Sequence, residues 1–214
     1  MKTDLDPIAL LQQQLARLPL VAILRGLTPS EAPTIGQALA SAGWGLLEVP
    51  LNSPKPLESI ALLAAQHPQL LVGAGTVLQA REVREVQAAG GRLIVSPHFD
   101  AEVVREAVRL GLACVPGVAT PSEALAALAA GAHALKLFPA EMLTPPVLKA
   151  LRAVLPASVA LLPVGGIGPH NMAEYRRAGA SGFGIGSALY TPGRTAEQTA
   201  AAAHTFIDTW SKLA

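Results

Sequence analysis

Charged side chains are scarce in this sequence of 214 residues. Asp, Glu, Lys and Arg make up 14% of it, whereas about 25% is usual for a globular protein. The surface must therefore carry many small apolar side chains, and a large apolar subunit interface would account for them, so we expect a homo-oligomer. The formal net charge is only +1 and no run of like charges occurs, which argues against a nucleic-acid-binding protein.

Cysteine and targeting signals are also nearly absent. The single cysteine, Cys114, excludes an intrachain disulfide and fits a reducing cytoplasm. The N-terminal segment carries Asp4 and Asp6 where a signal peptide needs positive charge. The longest stretch without Asp, Glu, Lys or Arg is residues 59–80, and its proline, three glutamines and two glycines argue against a membrane span. We expect a soluble cytoplasmic protein of one domain, residues 1–214.

Eight short apolar segments alternate with helical patterns along the chain; they begin near residues 19, 46, 70, 92, 113, 134, 159 and 182. Continuous apolar character is typical of strands buried on both faces of a parallel sheet. Five glycines precede these segments, where a helix end needs positive φ: 43, 90, 111, 131 and 179. An open doubly wound sheet would carry a glycine-rich nucleotide motif after its first strand, and "ILRGLTPSEA" has none. The sequence therefore predicts an α/β fold, a (β/α)₈ TIM barrel, with "DLDPIALLQQQLARL" as an extra N-terminal helix closing its bottom.

The pentapeptide "TPSEA" occurs twice, at residues 28–32 and 120–124. Threonine at the N-cap, proline at the first helical position and glutamate at the third form a capping box. Both copies therefore predict a helix start, after the first and the fifth strand.

Three charged side chains lie in or at the ends of predicted strands, on the side where such barrels carry their chemistry: Arg25, Glu48 and Lys136. Lys136, in "HALKLFPAE", is the only one of five lysines inside a strand-like segment. A buried ammonium is costly unless it is paired or reacts as a neutral amine. Lys136 is thus either a salt-bridge partner of Glu48 or a Schiff-base lysine with a lowered pKa, with Glu48 as the acid/base. Arg25 is either a carboxylate-binding fork or a surface arginine.

Two glycine clusters end the last two predicted strands, "VGGIGP" at 164–169 and "GIGSALY" at 184–190. Barrels commonly bind phosphate there through backbone N–H groups, and Ser187 adds a hydroxyl donor, although the first cluster alone would also fit a simple turn. Thr76 is either a donor at the mouth or strand packing. Phe138 lies on the same side of its strand as Lys136 and is either a pocket wall or core.

The five histidines fall in unrelated segments. No pair has the spacing of metal ligands, so we expect no metal site. His98 is interpreted as a solvent-facing loop residue.

The motifs "VAILRG", "EVPLNSP", "GAGTV", "SPH", "ALKLFPA", "VGGI" and "GSALY", in this order from about residue 18, resemble the bacterial 2-keto-3-deoxy-6-phosphosugar-acid aldolases. The resemblance implies that Lys136 forms a Schiff base and Glu48 is the acid/base. It implies a phosphate site of Gly165, Gly166, Gly186 and Ser187, and substrate contacts by Arg25, Asn52, Thr76, Pro97, Phe138 and Val164. It also implies a homotrimer that needs no cofactor or metal.

This family has a gluconate and a galactonate branch. The gluconate branch typically has "EVTLRTP" and a threonine before the glycine pair; this chain has "EVPLNSP" and Val164. Asn52 stands where that branch has its carboxylate-binding arginine, so Arg25 must bind the carboxylate, as in the galactonate branch. The implied reaction is cleavage of 2-dehydro-3-deoxy-6-phosphogalactonate to pyruvate and D-glyceraldehyde 3-phosphate. The alternatives are a phosphogluconate or 4-hydroxy-2-oxoglutarate aldolase, a phosphosugar isomerase or epimerase that uses Glu48 for proton transfer, and a catalytically dead phosphate-binding barrel.

Overall fold

The computed structural model describes residues 6–213. The helices are α1 (Pro7–Arg17), α2 (Ala32–Ser41), α3 (Pro56–Gln66), α4 (Ala80–Ala88), α5 (Ala101–Arg109), α6 (Pro121–Ala129), α7 (Pro145–Val154), α8 (Met172–Arg177) and α9 (Ala196–Ser211). The strands are β1 (Leu20–Ile23), β2 (Leu46–Pro50), β3 (Leu71–Gly75), β4 (Leu93–Val95), β5 (Ala113–Val115), β6 (Gly117–Val118), β7 (Leu135–Leu137), β8 (Leu161–Pro163) and β9 (Phe183–Ile185).

The strands form two parallel sheets, and the predicted closed (β/α)₈ TIM barrel is wrong. One curled sheet has six strands in the order β5-β4-β3-β2-β1-β9, and a second has β6-β7-β8. The predicted fifth strand is divided at Pro116 into β5, which pairs with β4, and β6, which pairs with β7. Proline has no N–H for a sheet ladder, which gives a physical reason for the break. On the other side, a single bridge between Val164 and Gly184 connects the ends of β8 and β9.

The inner faces of the strands surround an apolar cluster that includes Leu46, Leu71, Leu93 and Leu162. Helix α1 adds Leu10 and Leu11 to the same cluster. Helix α1 lies at the N-terminal ends of the strands: its last residue, Arg17, donates a hydrogen bond to the carbonyl of Gly43, just before β2. The predicted N-terminal helix is therefore present, although residues 4 and 5 of its predicted segment lie outside the described residues. A larger cluster fills the space between the strands and the outer helices.

The two "TPSEA" segments behave differently. Thr120 caps α6, with Glu123 completing the predicted capping box. In the first copy Glu31 does accept a hydrogen bond from the Thr28 N–H, but α2 begins only at Ala32. The observed N-cap is Glu31, so the helix start predicted with Thr28 as N-cap is three residues too early. The five glycines expected to end helices all have positive φ, between 69° and 109°.

Candidate active site

Lys136 is the middle residue of β7, paired in register with Gly117 of β6 and Leu162 of β8. Its side chain is buried, with 6% of the residue exposed, and Nζ lies 4.7 Å from the centroid of the Phe138 ring. Burial lowers the pKa of the Lys136 ammonium; the charge of Glu48 opposes this shift and that of Arg25 adds to it. The neutral amine, which is the nucleophilic form, is therefore favoured relative to an exposed lysine.

Glu48 lies in β2, in register with Ile23 of β1 and Gly73 of β3. It is 1% exposed, and its Oε2 has no hydrogen-bond partner among the described residues. Burial raises the pKa of the Glu48 carboxyl to about 7, against the opposing charges of Lys136 and Arg25. A carboxyl that titrates near neutrality can both accept and return a proton under cellular conditions.

Lys136 and Glu48 face one interior cavity of ≈ 20 Å³, a volume sufficient for about one water molecule. The other lining side chains are apolar. Within residues 6–213, no ion pair joins Lys136 Nζ to Glu48 at the 4.0 Å limit. The structure therefore does not show the alternative in which the lysine is a salt-bridge partner of the glutamate. It shows instead an acid and an amine with space between them.

Arg25 and Asn52 meet at the C-terminal ends of β1 and β2. The Arg25 guanidinium donates from Nη1 to Asn52 Oδ1 at 2.7 Å, and Ser53 Oγ accepts from the N–H of Gly26 at 2.9 Å. Both Arg25 and Asn52 are exposed. Because a guanidinium has five donors, this contact fixes the direction of the Arg25 side chain and leaves donors for a carboxylate.

An open cleft of ≈ 510 Å³ lies above the interior cavity, within the size range of small-molecule sites. Its lining includes Arg25, Phe138 and Val164, and the predicted phosphate-binding residues Gly165, Gly166, Gly186 and Ser187. Within the described part of the chain, the N–H groups of residues 166, 167, 186 and 187 donate no hydrogen bond. No aspartate or glutamate lines the cleft. A cleft with free N–H groups and no carboxylate among its lining residues is suited to an anion.

Three of the predicted substrate-binding residues line neither of these two cavities: Asn52, Thr76 and Pro97. Thr76, which follows β3 with a φ of 57°, and Pro97 are half-buried, and neither lines the cavity or the cleft. His98 is exposed, as predicted. Nine of the twelve predicted site residues therefore line the cavity or the cleft, and a tenth, Asn52, joins them through its hydrogen bond with Arg25.

Three side chains around the twin-glycine loop were missed in the sequence. The Asn171 amide donates to the carbonyl of Gly166 at 2.9 Å and accepts from the N–H of Gly168 at 3.0 Å. The Glu141 carboxylate occupies the space that a side chain at Gly165 would need. His170 lines the cleft. The only sequence signal was their position, since "GPHN" begins two residues after the glycine pair and Glu141 directly follows "LFPA".

Two further features are absent from residues 6–213. No group of three His, Cys, Asp or Glu side chains is arranged to hold a metal ion. No helix has the length and apolar character that crossing a membrane requires.

A buried amine beside a buried acid, below a cleft with free N–H groups and a guanidinium, defines a Schiff-base enzyme that acts on an anionic carbonyl compound. The chain belongs to the KDPG and KHG aldolase family, whose model matches residues 11–203. It is 46% identical to the 2-dehydro-3-deoxy-6-phosphogalactonate aldolase of Escherichia coli (strain K12), over 89% of this chain and 94% of that protein.

Two further comparisons agree with this. A probable 2-dehydro-3-deoxy-6-phosphogalactonate aldolase of Rhizobium meliloti (strain 1021) is 48% identical, over 83% of this chain and 84% of that protein. A solved structure described as native KDPGal superimposes with a TM-score of 0.90 at 44% identity, covering 92% of this chain and 96% of that one. The resemblance to the galactonate branch that the sequence motifs indicated is therefore confirmed.

Proposed function

We propose that this protein is a class I aldolase that cleaves 2-dehydro-3-deoxy-6-phosphogalactonate to pyruvate and D-glyceraldehyde 3-phosphate. The proposal rests above all on one observation: Lys136 and Glu48 are both buried and line the same small cavity without forming an ion pair. An unpaired lysine at that depth is unfavourable as a cation and suited to attack a carbonyl carbon.

The reaction follows from these two groups. Lys136 Nζ attacks the C2 ketone, and loss of water from the carbinolamine gives an iminium ion. Glu48, acting through a water in the space beside it, removes the proton of the C4 hydroxyl. The C3–C4 bond then breaks, its electron pair moves into the iminium to give an enamine, and glyceraldehyde 3-phosphate leaves. C3 of the enamine takes a proton, and water hydrolyses the resulting imine to pyruvate and free Lys136.

The two anionic ends of the substrate fit the two donor groups of the site. In the proposed complex, Arg25, held by Asn52, binds the carboxylate next to the reacting ketone. The free N–H groups of the two glycine loops and the Ser187 hydroxyl bind the phosphate. Phe138, whose ring lies against the Lys136 amine, and Val164 form walls of the cleft.

The galactonate epimer is preferred in this proposal for two reasons. Asn52 and Val164 replace the arginine and threonine typical of the gluconate branch. The two relatives at 46% and 48% identity also carry the phosphogalactonate name. We further propose a cytoplasmic homotrimer without a bound cofactor. Exposed apolar side chains such as Leu125, Met142 and Val154, which are 50%, 73% and 57% exposed, support burial in an interface.

Trapping of the imine tests this proposal. The protein is incubated with pyruvate and sodium borohydride, digested, and analysed by mass spectrometry. We expect a reduced adduct on Lys136 and none on Lys149, an exposed lysine of α7 that serves as an internal control. The K136R variant should give no adduct and no cleavage. An unmodified Lys136 in active protein would support an isomerase or epimerase instead.

The substrate is tested separately by kcat/KM for the two epimeric phosphorylated acids. A preference for the galactonate epimer is expected. Equal rates, or a preference for the gluconate epimer, would overturn the branch assignment while leaving the Schiff base in place.

A further inference from the structure

The outer edge of the twin-glycine loop has few free backbone donors. The N–H of Gly168 donates to Asn171 Oδ1 at 3.0 Å, and Pro169 has no N–H. Among the described residues, the N–H groups of Gly166, Ile167 and His170 donate no hydrogen bond. The stretch between Ile167 and His170 therefore has no free N–H, and a side-chain donor there would add to the contacts of a bound anion.

His170 lies at this edge. It is exposed and lines the cleft together with the glycine loops. Its ring folds back over Gly168, since a Cβ added at Gly168 would be 2.8 Å from both Cε1 and Nδ1. In the part of the chain that the structure describes, the imidazole makes no hydrogen bond or ion pair. The side chain is therefore close to the loop and free to contact a ligand.

We propose that His170 is a further substrate-binding residue, which donates a hydrogen bond to the phosphate of the substrate at the outer edge of the loop. This inference rests on the proposed function. An imidazole carries at least one N–H in either protonation state, and a phosphate has three terminal oxygens that each accept hydrogen bonds. Of residues 6–213, Arg25 and His170 are the only basic ones that line the cleft, and they follow different strands, β1 and β8. Arg25 is thus placed for the carboxylate of the substrate and His170 for its phosphate.

The expected kinetic signature is specific. His170 acts on the phosphate and not on the amine or the acid, so its loss should raise KM and leave kcat nearly unchanged. H170A should raise KM for the phosphorylated acid by about tenfold, the effect of one hydrogen bond to a charged group. KM for the same acid without phosphate should not change. H170Q keeps an N–H donor and should recover part of the loss.

The experiment compares wild type, H170A, H170Q and the control H204A, in which an exposed histidine of α9 that does not line the cleft is replaced. KM and kcat are measured with the phosphorylated and the unphosphorylated acid, and affinity for inorganic phosphate is measured by calorimetry. We expect weaker phosphate binding in H170A and none of these changes in H204A.

The outcomes separate this inference from the proposed function. An active wild type with an unchanged KM and phosphate affinity in H170A would refute the role of His170. Equal losses on both substrates would also refute it, because they would show a general effect on the loop. A wild type that cleaves neither acid would refute the proposed function, and the phosphate affinities of wild type and H170A would then still decide whether His170 binds the anion.

Discussion

Replacing Gly186 by alanine should block the phosphate site without disturbing the fold. A Cβ added at Gly186 meets no heavy atom within 4 Å, and Gly186 is not among the residues with positive φ. The residue lies at the end of β9 and lines the open cleft. The new methyl group therefore projects into empty space in the free protein and into the ligand in the proposed complex.

The size of the effect follows from the hydrogen bonds that the methyl group displaces. The N–H groups of Gly186 and Ser187 are free in the described structure. One lost hydrogen bond to a charged phosphate corresponds to about 1.5–3 kcal/mol, and hence to a loss of about 10- to 150-fold in kcat/KM. Stability should change little, or rise by about 0.4–1 kcal/mol, because alanine restricts the unfolded chain.

The assay measures kcat/KM for the phosphorylated and unphosphorylated acids, together with thermal unfolding. The contrasting variant is G165A: Gly165 has a φ of 112° and its Cβ would collide with Glu141, so this variant should lose stability by about 1–3 kcal/mol. The reasoning is refuted if G186A is well folded and cleaves the phosphorylated acid as the wild type does. It is also refuted if both acids suffer equally, since the methyl group would then disturb the reaction centre.

Three other predictions concern the acid, the half-buried His133 and the epimer preference. The pKa of Glu48 is raised to about 7, and its carboxylate form takes the hydroxyl proton. The value of kcat/KM should therefore rise as pH increases through about 7. Profiles of kcat/KM against pH should show this rise in the wild type and not in E48Q. His133 Nδ1 accepts a hydrogen bond from the N–H of Cys114 at 3.0 Å. Burial lowers the pKa of His133, and the nearby charge of Asp6 opposes this shift. The free energy of unfolding should therefore be highest above the unfolded-state pKa of about 6.5 and should fall as pH drops below it. Urea unfolding at several pH values should show a weaker pH dependence in H133A than in the wild type. The double variant with Asn52→Arg and Val164→Thr should shift the ratio of kcat/KM toward the gluconate epimer, and an unchanged ratio would mean that these positions do not set the preference.

The reacting groups were predictable because they break a pattern. A lysine within "ALKLF" and a glutamate within "LLEVP" are conspicuous in apolar strands, and the structure buries both. The closed barrel was predicted wrongly because the apolar run around Pro116 reads as one strand. Whether a proline divides a strand depends on which strands pair with the segments before and after it. A pattern of apolar residues does not contain that information.

The parts around the glycine loop could not be predicted for a different reason. Asn171 and Glu141 act through contacts with Gly165, Gly166 and Gly168, and their residue types are common in any loop. Their positions in the sequence, Asn171 shortly after the glycine pair and Glu141 after "LFPA", do not reveal these contacts until the fold shows which way each side chain points. The helix start at Thr28 shows the same limit, because the local hydrogen bond is made while the helix begins at Ala32.

The interior cavity and the open cleft share three lining residues, Ile23, Val164 and Gly184. A Cβ at Gly184 would lie 2.6 Å from Val164 Cγ2, so these residues form a tightly packed boundary. Burial lowers the pKa of Lys136, so shielding from bulk water favours its neutral form, whereas a phosphate and a carboxylate need exposed donors. The boundary meets both requirements, because it leaves the amine among apolar strands while the anionic groups bind in the cleft above it. Substitutions at the boundary should therefore change the pKa of Lys136 with little effect on phosphate affinity, and substitutions in the glycine loops should do the reverse.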